Sequence, residues 1–142
     1  MQKSTEQAGQ WQEIWERHNA VDTVIDWGRD VYNFFFRRIL RRYLTNRSSM
    51  IELGCGRASL TLSLAPEIGS LIGADISDAA VTQAASSASK KGLHNTRFMV
   101  ADCTNLGPDF DGKFDFSWSQ GLIEHFDDST AITRQHYTAL RP

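Results

Sequence analysis

The stretch that decides the fold of this chain is Ser49-Met50-Ile51-Glu52-Leu53-Gly54-Cys55-Gly56-Arg57-Ala58-Ser59-Leu60. It predicts a short apolar strand, a glycine turn and the start of a helix. The two glycines let a ligand approach the backbone closely, and the free N–H groups of the helix start suit a carboxylate or a phosphate. Glu52 would repel a pyrophosphate and attract a cation, which favours a ligand with an amine and a carboxylate but no phosphate.

The rest of the chain alternates strands with helices. Strands are predicted at 49–53, 70–74, 96–100 and 113–118, and helices start at Ala58, after Ser77 as N-cap, and at Asp127. Pro66 is expected to end the first of these helices, and Gly92 the second, which has an apolar face of Val81, Ala84, Ala85 and Ala88. Such alternation predicts parallel strands joined by right-handed crossovers, an α/β fold.

Ahead of this core, residues 1–47 are predicted to be helical. A first helix at 4–18 places Trp11, Ile14, Trp15 and His18 on one face. A second spans about 20–44 with a break near Gly28, and its apolar side is expected to contain Val31, Phe34, Phe35, Ile39 and Tyr43. These helices are expected to pack on the sheet. The chain is therefore interpreted as one domain, 1–142, with a core at 48–142.

Four stretches together resemble the motifs of the class I S-adenosylmethionine (SAM)-dependent methyltransferases, in order and in spacing. They are Glu-Leu-Gly-Cys-Gly at 52–56, Gly-Ala-Asp-Ile-Ser at 73–77, Val-Ala-Asp-Cys at 100–103 and Ser-Gln-Gly-Leu-Ile-Glu-His-Phe at 119–126. The resemblance covers roughly residues 45–142. It implies a Rossmann-like three-layer sandwich, SAM as the cofactor, and helices before the core that close over it.

The resemblance also implies a task for each motif, since ligands bind beyond the carboxyl ends of parallel strands. Gly54, Cys55 and Gly56 would approach the methionine part, and Glu52 would hold its amine through water. Asp75 would accept both ribose hydroxyls, because a carboxylate with two acceptor oxygens matches a vicinal diol. Ile76 would pack on the adenine ring, and Asp102 would bind the adenine amino group, with the Cys103 N–H nearby. Ser119 and Gln120 would line the position of the methyl group.

Catalytic residues are less clearly marked. Glu124 and His125 are candidates for a proton-transferring pair, although this pair also occurs in the family with unrelated acceptors, which favours pocket shaping. Asp75 could alternatively serve only as a helix-start acid and Asp102 as a turn former. The remaining histidines are scattered without a metal-ligand spacing. Cys55 is interpreted as a small buried residue in the glycine turn.

Composition narrows the class of protein. The net charge of −2 over 142 residues gives no reason to expect a nucleic-acid partner. No apolar run approaches a membrane span, and the start lacks the apolar core of a signal peptide. Two cysteines in these positions suggest reduced thiols and a cytoplasmic protein. A basic stripe, which is either a solvated helix face or a surface for acidic partners or headgroups, contains Arg37, Arg38, Arg41, Arg42 and Arg47.

The resemblance also marks a departure. In the family, Leu140-Arg141-Pro142 leads into a fifth strand of about seven, so the predicted sheet of four strands is incomplete and C-terminally truncated by comparison. The strand at 113–118 would then have an open apolar edge, which invites pairing. We expect a homo-oligomer that covers this edge; the alternative is that the sequence is a fragment.

Three functions follow from the sequence. The first is a SAM-dependent methyltransferase with a small-molecule acceptor, and the second is a SAM-binding relative without turnover. The third, a nicotinamide-dependent oxidoreductase, is disfavoured because Ser59 stands where the dinucleotide fingerprint requires its third glycine, and because Glu52 opposes a pyrophosphate.

Overall fold

A computed structural model of the protein describes Gly9 and residues 22–142, with side chains from residue 31 onward. Its centre is a parallel four-stranded sheet of β1 (Ser49–Leu53), β2 (Ser70–Asp75), β3 (Thr96–Val100) and β4 (Phe116–Trp118), in the order β3-β2-β1-β4. The helices are α1 (Asp22–Leu40), α2 (Ser59–Leu64), α3 (Asp78–Lys90) and α4 (Thr130–Ala139). The predicted α/β class with an unclosed sheet is confirmed. Apart from Gly9, the helix predicted at 4–18 lies outside the described residues.

Strand β1, which opens the segment 49–60, lies inside the sheet between β2 and β4. β1 pairs with β2 on one side and with β4 on the other, so Glu52 has Gly73 and Trp118 as its register partners. The side chains of Met50, Ile51 and Leu53 are fully buried. Because both faces of a central parallel strand are covered by helices, a nearly continuous apolar run is what this position requires.

Helix boundaries follow local chemistry closely. The Ser77 hydroxyl accepts the Ala80 N–H at 3.3 Å, as an N-cap does. α3 then ends before Gly92, whose φ of +66° suits a glycine stop. α2 ends at Leu64, and the chain continues through Pro66 as a 3-10 turn, so the proline ends the α-helix by lacking an N–H to donate.

The packing face predicted for α3 is wrong in part, and the one predicted for α1 is wrong. α3 buries Ala80, Ala84 and Ala88, at a spacing of four, whereas Ala85 is exposed and Val81 is only half-buried. Among its described side chains, α1 packs through Phe36 and Leu40, and the predicted face is exposed, namely Val31, Phe34, Phe35, Ile39 and the following Tyr43. α1 runs without interruption through Gly28. It has two apolar stripes, and periodicity alone could not decide which one meets α2.

The position of α1 is fixed by contacts with α2 and β4. Leu40 belongs to one buried cluster with Leu60 and Leu64. The Phe36 ring lies 5.4 Å from the Trp118 indole, measured between centroids. Part of the basic stripe is engaged, because the Arg41 guanidinium donates two hydrogen bonds to Glu67 and Arg37 lies 3.6 Å from the same carboxylate.

The fourth strand is shorter than predicted. Phe116–Trp118 pairs with β1, whereas the Lys113 and Phe114 N–H groups donate to the Ala139 carbonyl at 3.1 and 3.0 Å. Ser49 N–H donates to the Asp115 carboxylate, so the regular ladder starts one residue later. Phe114 also forms a parallel bridge with Leu140. The edge predicted to be open along 113–118 is therefore already covered at its first part.

In the part of the chain that the structure describes, no helix is long and apolar enough to cross a membrane. The two cysteines are free and buried, as expected of reduced thiols.

Candidate functional site

The glycine turn after β1 is bent by three residues with left-handed backbone. Gly54 and Gly56 have φ values of +63° and +49°, and Ala58 has +52°. Glycine adopts this conformation freely, whereas at Ala58 it is strained by about 1 kcal/mol. The turn is conformationally specified by its glycines, as the sequence predicted.

The N–H groups of this turn are held by the neighbouring strand ends. Gly54 N–H donates to Cys103 Sγ at 3.2 Å, Cys55 N–H to the Ala74 carbonyl at 3.0 Å, and Gly56 N–H to Asp75 Oδ2 at 2.8 Å. The turn is thus tied to the ends of β2 and β3. The free N–H groups that the sequence predicted belong to the helix start, and these three bonds of the turn do not involve them.

Asp75 is the anchor of the turn. It ends β2, is 8% exposed, and accepts Gly56 N–H on Oδ2 and Ser77 N–H on Oδ1, the latter at 2.9 Å. Each carboxylate oxygen keeps a second lone pair, so two further hydroxyl groups can bind to it. The carboxylate therefore orders the turn and retains the acceptor capacity that a vicinal diol requires.

Glu52 is buried in β1 and accepts a hydrogen bond from the Thr61 hydroxyl of α2. Burial raises its pKa to about 8, against the lowering effect of the Thr61 hydrogen bond, and the nearby Asp75 charge raises it further. Glu52 is therefore largely protonated near pH 7. A cation bound beside it would lower this pKa and restore the negative charge.

The third acid lies at the end of β3. Asp102 is exposed, and its Oδ1 accepts both the N–H and the hydroxyl of Thr104, at 2.9 and 2.7 Å. It thus forms a turn, the alternative that the sequence left open, while its second oxygen has no role in that turn. Cys103 beside it is buried, with Sγ 3.4 Å from the Ala74 carbonyl.

Electrostatics show that these acids are neighbours. Burial raises the pKa of Cys103 to about 12; the Gly54 N–H lowers it, and the carboxyls of Asp75, Asp102 and Glu52 raise it further. Burial likewise raises the pKa of Cys55, with Glu52 and Asp75 contributing. Both thiols stay protonated, so neither is a nucleophile. The carboxyls of Glu52, Asp75 and Asp102 therefore all act on Cys103, whose Sγ accepts the N–H of Gly54 in the glycine turn.

The end of β4 completes this side of the sheet. Leu122 covers the turn so closely that a Cβ placed on Gly54 would lie 2.6 Å from Leu122 Cδ1. Gln120 Nε2 donates to Asn33 Oδ1 of α1 at 3.4 Å. Ile76 is half-buried after β2. The predicted pair Glu124 and His125 lies exposed in a 3-10 helix, Ile123–His125.

Sequence reasoning missed His136. Its Nδ1 is 2.6 Å from Ser117 Oγ and its Nε2 is 3.0 Å from Ser119 Oγ, so it joins α4 to the end of β4. Burial lowers its pKa. A usable signal was present, because His136 lies four residues after Ile132 and three before Ala139, both fully buried, which places it on the inner face of α4.

A groove of about 230 Å³ lies elsewhere, between α3 and β3, and contains none of the predicted site residues. Its lining consists of Ala85, Ala88, Ser89, Gly92, Leu93, His94, Thr96 and Phe98. In the described part of the chain, no cluster of His, Cys, Asp and Glu side chains could hold a metal ion.

Comparison with protein families gives one match over most of the chain. A family model described as "Methyltransferase domain" matches residues 50–142. A protein of Thermosynechococcus vestitus, described as an uncharacterized RNA methyltransferase, is 31% identical over 71 residues, which is 50% of this chain and 16% of the relative.

Solved structures share the fold. The YcgJ protein from Bacillus subtilis has a TM-score of 0.69 at 24% identity, over 77% of this chain and 45% of that one. A SAM-dependent methyltransferase from Aquifex aeolicus has 0.66 at 16%, over 74% and 57%. The cyclase SpnF has 0.67 at 26%, over 75% and 41%. This chain thus spans about half the length, or less, of these structures, and a smaller share of the curated relative.

Proposed function

Because the chain belongs to the class I SAM-dependent methyltransferase family, through a methyltransferase domain that spans residues 50–142, we propose that it binds S-adenosylmethionine and methylates a small-molecule acceptor. The observation that carries the proposal is the convergence of Glu52, Asp75 and Asp102 on one glycine turn. This donor set fits a ligand with an amine and a ribose diol. It does not fit a pyrophosphate, which the carboxylates of Asp75 and Asp102 would repel.

Each residue then has a task. Gly54, Cys55 and Gly56 face the methionine part, and Glu52 holds its amine through water. Asp75 accepts the ribose hydroxyls on the lone pairs that the Gly56 and Ser77 N–H groups leave free. Ile76 would pack on the adenine ring, and Asp102 would hold its amino group, with the Cys103 N–H nearby. Ser119 and Gln120 line the methyl position.

Methyl transfer from a sulfonium is an in-line displacement, and the bound cofactor supplies the reactive methyl group. The protein has to align the acceptor and exclude water. Leu122 over the turn and α1 over the end of β4 provide apolar cover, with Phe36 against Trp118. Glu124 and His125 are exposed, and we assign them to the rim of the acceptor pocket, with proton transfer as their weaker alternative.

A small acceptor is preferred to RNA. The matched relative is described as an RNA methyltransferase, but the core from Ser48 onward has seven basic and eleven acidic residues. Such a negative core would repel a polyphosphate backbone. We also infer a cytoplasmic location from the free, buried thiols.

SAM binding without turnover is the second candidate. SpnF, with the same fold, is described as a cyclase, so this architecture is not restricted to methyl transfer. The chain also covers only 41% of that structure. Both candidates require the same cofactor site and differ only in turnover.

Calorimetry with SAM, S-adenosylhomocysteine and NAD tests the proposal. We expect binding of the first two and none of NAD. Asp75→Ala should weaken SAM binding by about 10-fold or more, since hydrogen bonds to a charged group contribute about 1.5–3 kcal/mol. Lys91→Gln, an exposed change after α3, is the control. Binding of NAD, or no binding of SAM, would overturn the proposal.

We further propose that a second copy of the chain covers the open part of the β4 edge. In a parallel ladder alternate residues point their backbone groups to the same side. The backbone of Phe114 pairs with Leu140 on the outer side of β4. The backbone N–H and C=O groups of Phe116 and Trp118, two and four residues later, therefore also point to this outer side. Light scattering over a range of concentrations should give a dimer; a constant monomer mass would contradict this.

A further inference from the structure

A histidine lies between two serine hydroxyls at the carboxyl end of β4. Ser117 Oγ is 2.6 Å from His136 Nδ1, and Ser119 Oγ is 3.0 Å from His136 Nε2. The two serines are two residues apart and therefore lie on the same face of the strand, against α4. Both nitrogens of the half-buried ring have a hydroxyl partner.

The surroundings keep this imidazole neutral. Burial lowers the pKa of His136 below its ordinary value, and its ring faces two uncharged hydroxyls. On its own helix Arg134 and Tyr137 are exposed, and at the start of β4 the Asp115 carboxylate is bonded to Ser49 and Arg141. In the tautomer with a proton on Nδ1, the Nδ1–H group donates a hydrogen bond to Ser117 Oγ, and Nε2 accepts a hydrogen bond from the Ser119 hydroxyl.

Ser119 is placed next to the glycine turn. It follows Trp118, which is the register partner of Glu52. The same segment brings Leu122 into contact with Gly54, where an added Cβ would be 2.6 Å from Leu122 Cδ1. The hydroxyl of Ser119, a residue that we assign to the methyl position, is joined directly to a basic nitrogen of His136.

This inference rests on the proposed function. We propose that the methyl acceptor is a hydroxyl compound, and that His136, acting through Ser119, is the positioning residue that receives its proton. As the acceptor oxygen attacks the methyl carbon, the O–C bond forms and the C–S bond breaks. The acceptor proton passes to Ser119 Oγ, and the Ser119 proton passes to His136 Nε2. The half-buried imidazolium then releases it to solvent.

The chemistry selects a hydroxyl over an amine. A neutral amine carries a nucleophilic lone pair before it reacts, whereas a hydroxyl becomes a strong nucleophile only as its proton leaves. A neutral base at the acceptor site therefore assists O-methylation. A proton-transferring group of this kind contributes about 10²- to 10⁴-fold to the rate.

The matched variant is His136→Gln. Glutamine can bond both serines through its amide, so the link between α4 and β4 is kept, but it cannot take up a proton. His94→Gln, at an exposed histidine before β3, is the control. Urea unfolding of each variant checks that the fold is retained. SAM binding by calorimetry checks that the cofactor site is unchanged.

Turnover is measured as S-adenosylhomocysteine formed with pairs of probes that differ only in the reacting group. The pairs are catechol and 1,2-phenylenediamine, and phenol and aniline, whose amines are neutral at pH 7. We expect methylation of a hydroxyl member, a loss of about 10²-fold or more in kcat for His136→Gln, and an unchanged Kd for SAM. The wild-type kcat should fall as the pH drops through the pKa of His136, which lies below 6.5. This acid-side fall should be absent in His136→Gln.

A second readout is independent of turnover. Nitrogen-15 spectra of the histidine ring should show a neutral His136 with its proton on Nδ1 at pH 7, and a pKa below 6.5. A charged ring at pH 7, the opposite tautomer, or an unchanged kcat in His136→Gln would overturn the inference. If the protein binds SAM but methylates only amines, or none of the probes, the inference is also overturned. The proposal that SAM is the cofactor would still stand in that case. Failure to bind SAM would instead refute the proposed function.

Discussion

Replacing Asp75 by asparagine tests how the cofactor site is held together. Each oxygen of the buried Asp75 carboxylate accepts one backbone N–H, from Gly56 at 2.8 Å and from Ser77 at 2.9 Å. An amide has one oxygen and one NH₂ group. Whichever way the new amide is turned, one of the two backbone N–H groups therefore faces another donor.

The size of the effect follows from these two bonds. A hydrogen bond to a charged group contributes about 1.5–3 kcal/mol, and an unsatisfied buried N–H costs about 1–3 kcal/mol. Because Glu52 is largely protonated near pH 7, removing the Asp75 charge relieves little repulsion between the two groups. We expect a net loss of about 2 kcal/mol in the free energy of unfolding. For a chain of this size that lowers Tm by roughly 7 °C.

Asp102→Asn provides the matched control. Asp102 accepts both groups of Thr104 on the same oxygen, and it is exposed. Its amide oxygen can keep both bonds while the NH₂ group meets water, so we expect a loss below about 0.5 kcal/mol. Urea unfolding with circular dichroism measures both variants, and equal m-values would show that the same surface is exposed on unfolding.

Two results would refute the reasoning. An Asp75→Asn protein as stable as the wild type would mean that the carboxylate does not hold the glycine turn. An equal loss in both variants would mean that site carboxylates act through net charge rather than through the number of oxygens engaged.

Two further changes test the packing of the site. In Glu52→Gln, an amide replaces an acid whose folded pKa is about 8 and whose unfolded value is near 4.5. Because the folded pKa lies above the unfolded one, the Glu52 proton stabilises the folded wild type fully below pH 4.5, and this contribution is lost as the pH rises through 8. The free energy of unfolding of the wild type should therefore fall relative to that of the variant across pH 5–8. In Gly73→Ala, the new Cβ would lie 2.6 Å from the Phe98 ring and 3.0 Å from Cys55 Sγ, so unfolding should require about 1–3 kcal/mol less.

Both have clear contradicting outcomes. If the wild type and Glu52→Gln differ in stability by the same amount at every pH, Glu52 does not titrate in this range. If Gly73→Ala is as stable as the wild type by thermal unfolding, strand β2 can shift away from Phe98. Adding Phe98→Leu to Gly73→Ala should recover part of the loss, because it removes the ring that the methyl group meets.

The sequence by itself determined the order of the elements from β1 onward, and it predicted where the candidate site lies. Apolar runs bounded by glycine, serine and proline marked β1, β2 and β3 to within a residue, and Ser77 is the cap it was predicted to be. Parallel strands send their carboxyl ends to one edge, so acids at or just beyond three of these ends are expected to lie near one another. These conclusions depend on short-range pattern and on topology, which are written in the local order of residues.

Tertiary structure alone decided which groups meet across long separations. It selected the stripe of α1 that packs on α2, shortened β4 through Asp115 and Ser49, and placed His136 between two serines. It also buried Glu52 deeply enough to keep a proton near neutral pH. The physical reason is that packing, desolvation and side-chain hydrogen bonding depend on neighbours distant in the chain, whereas periodicity and capping depend on neighbours a few residues away.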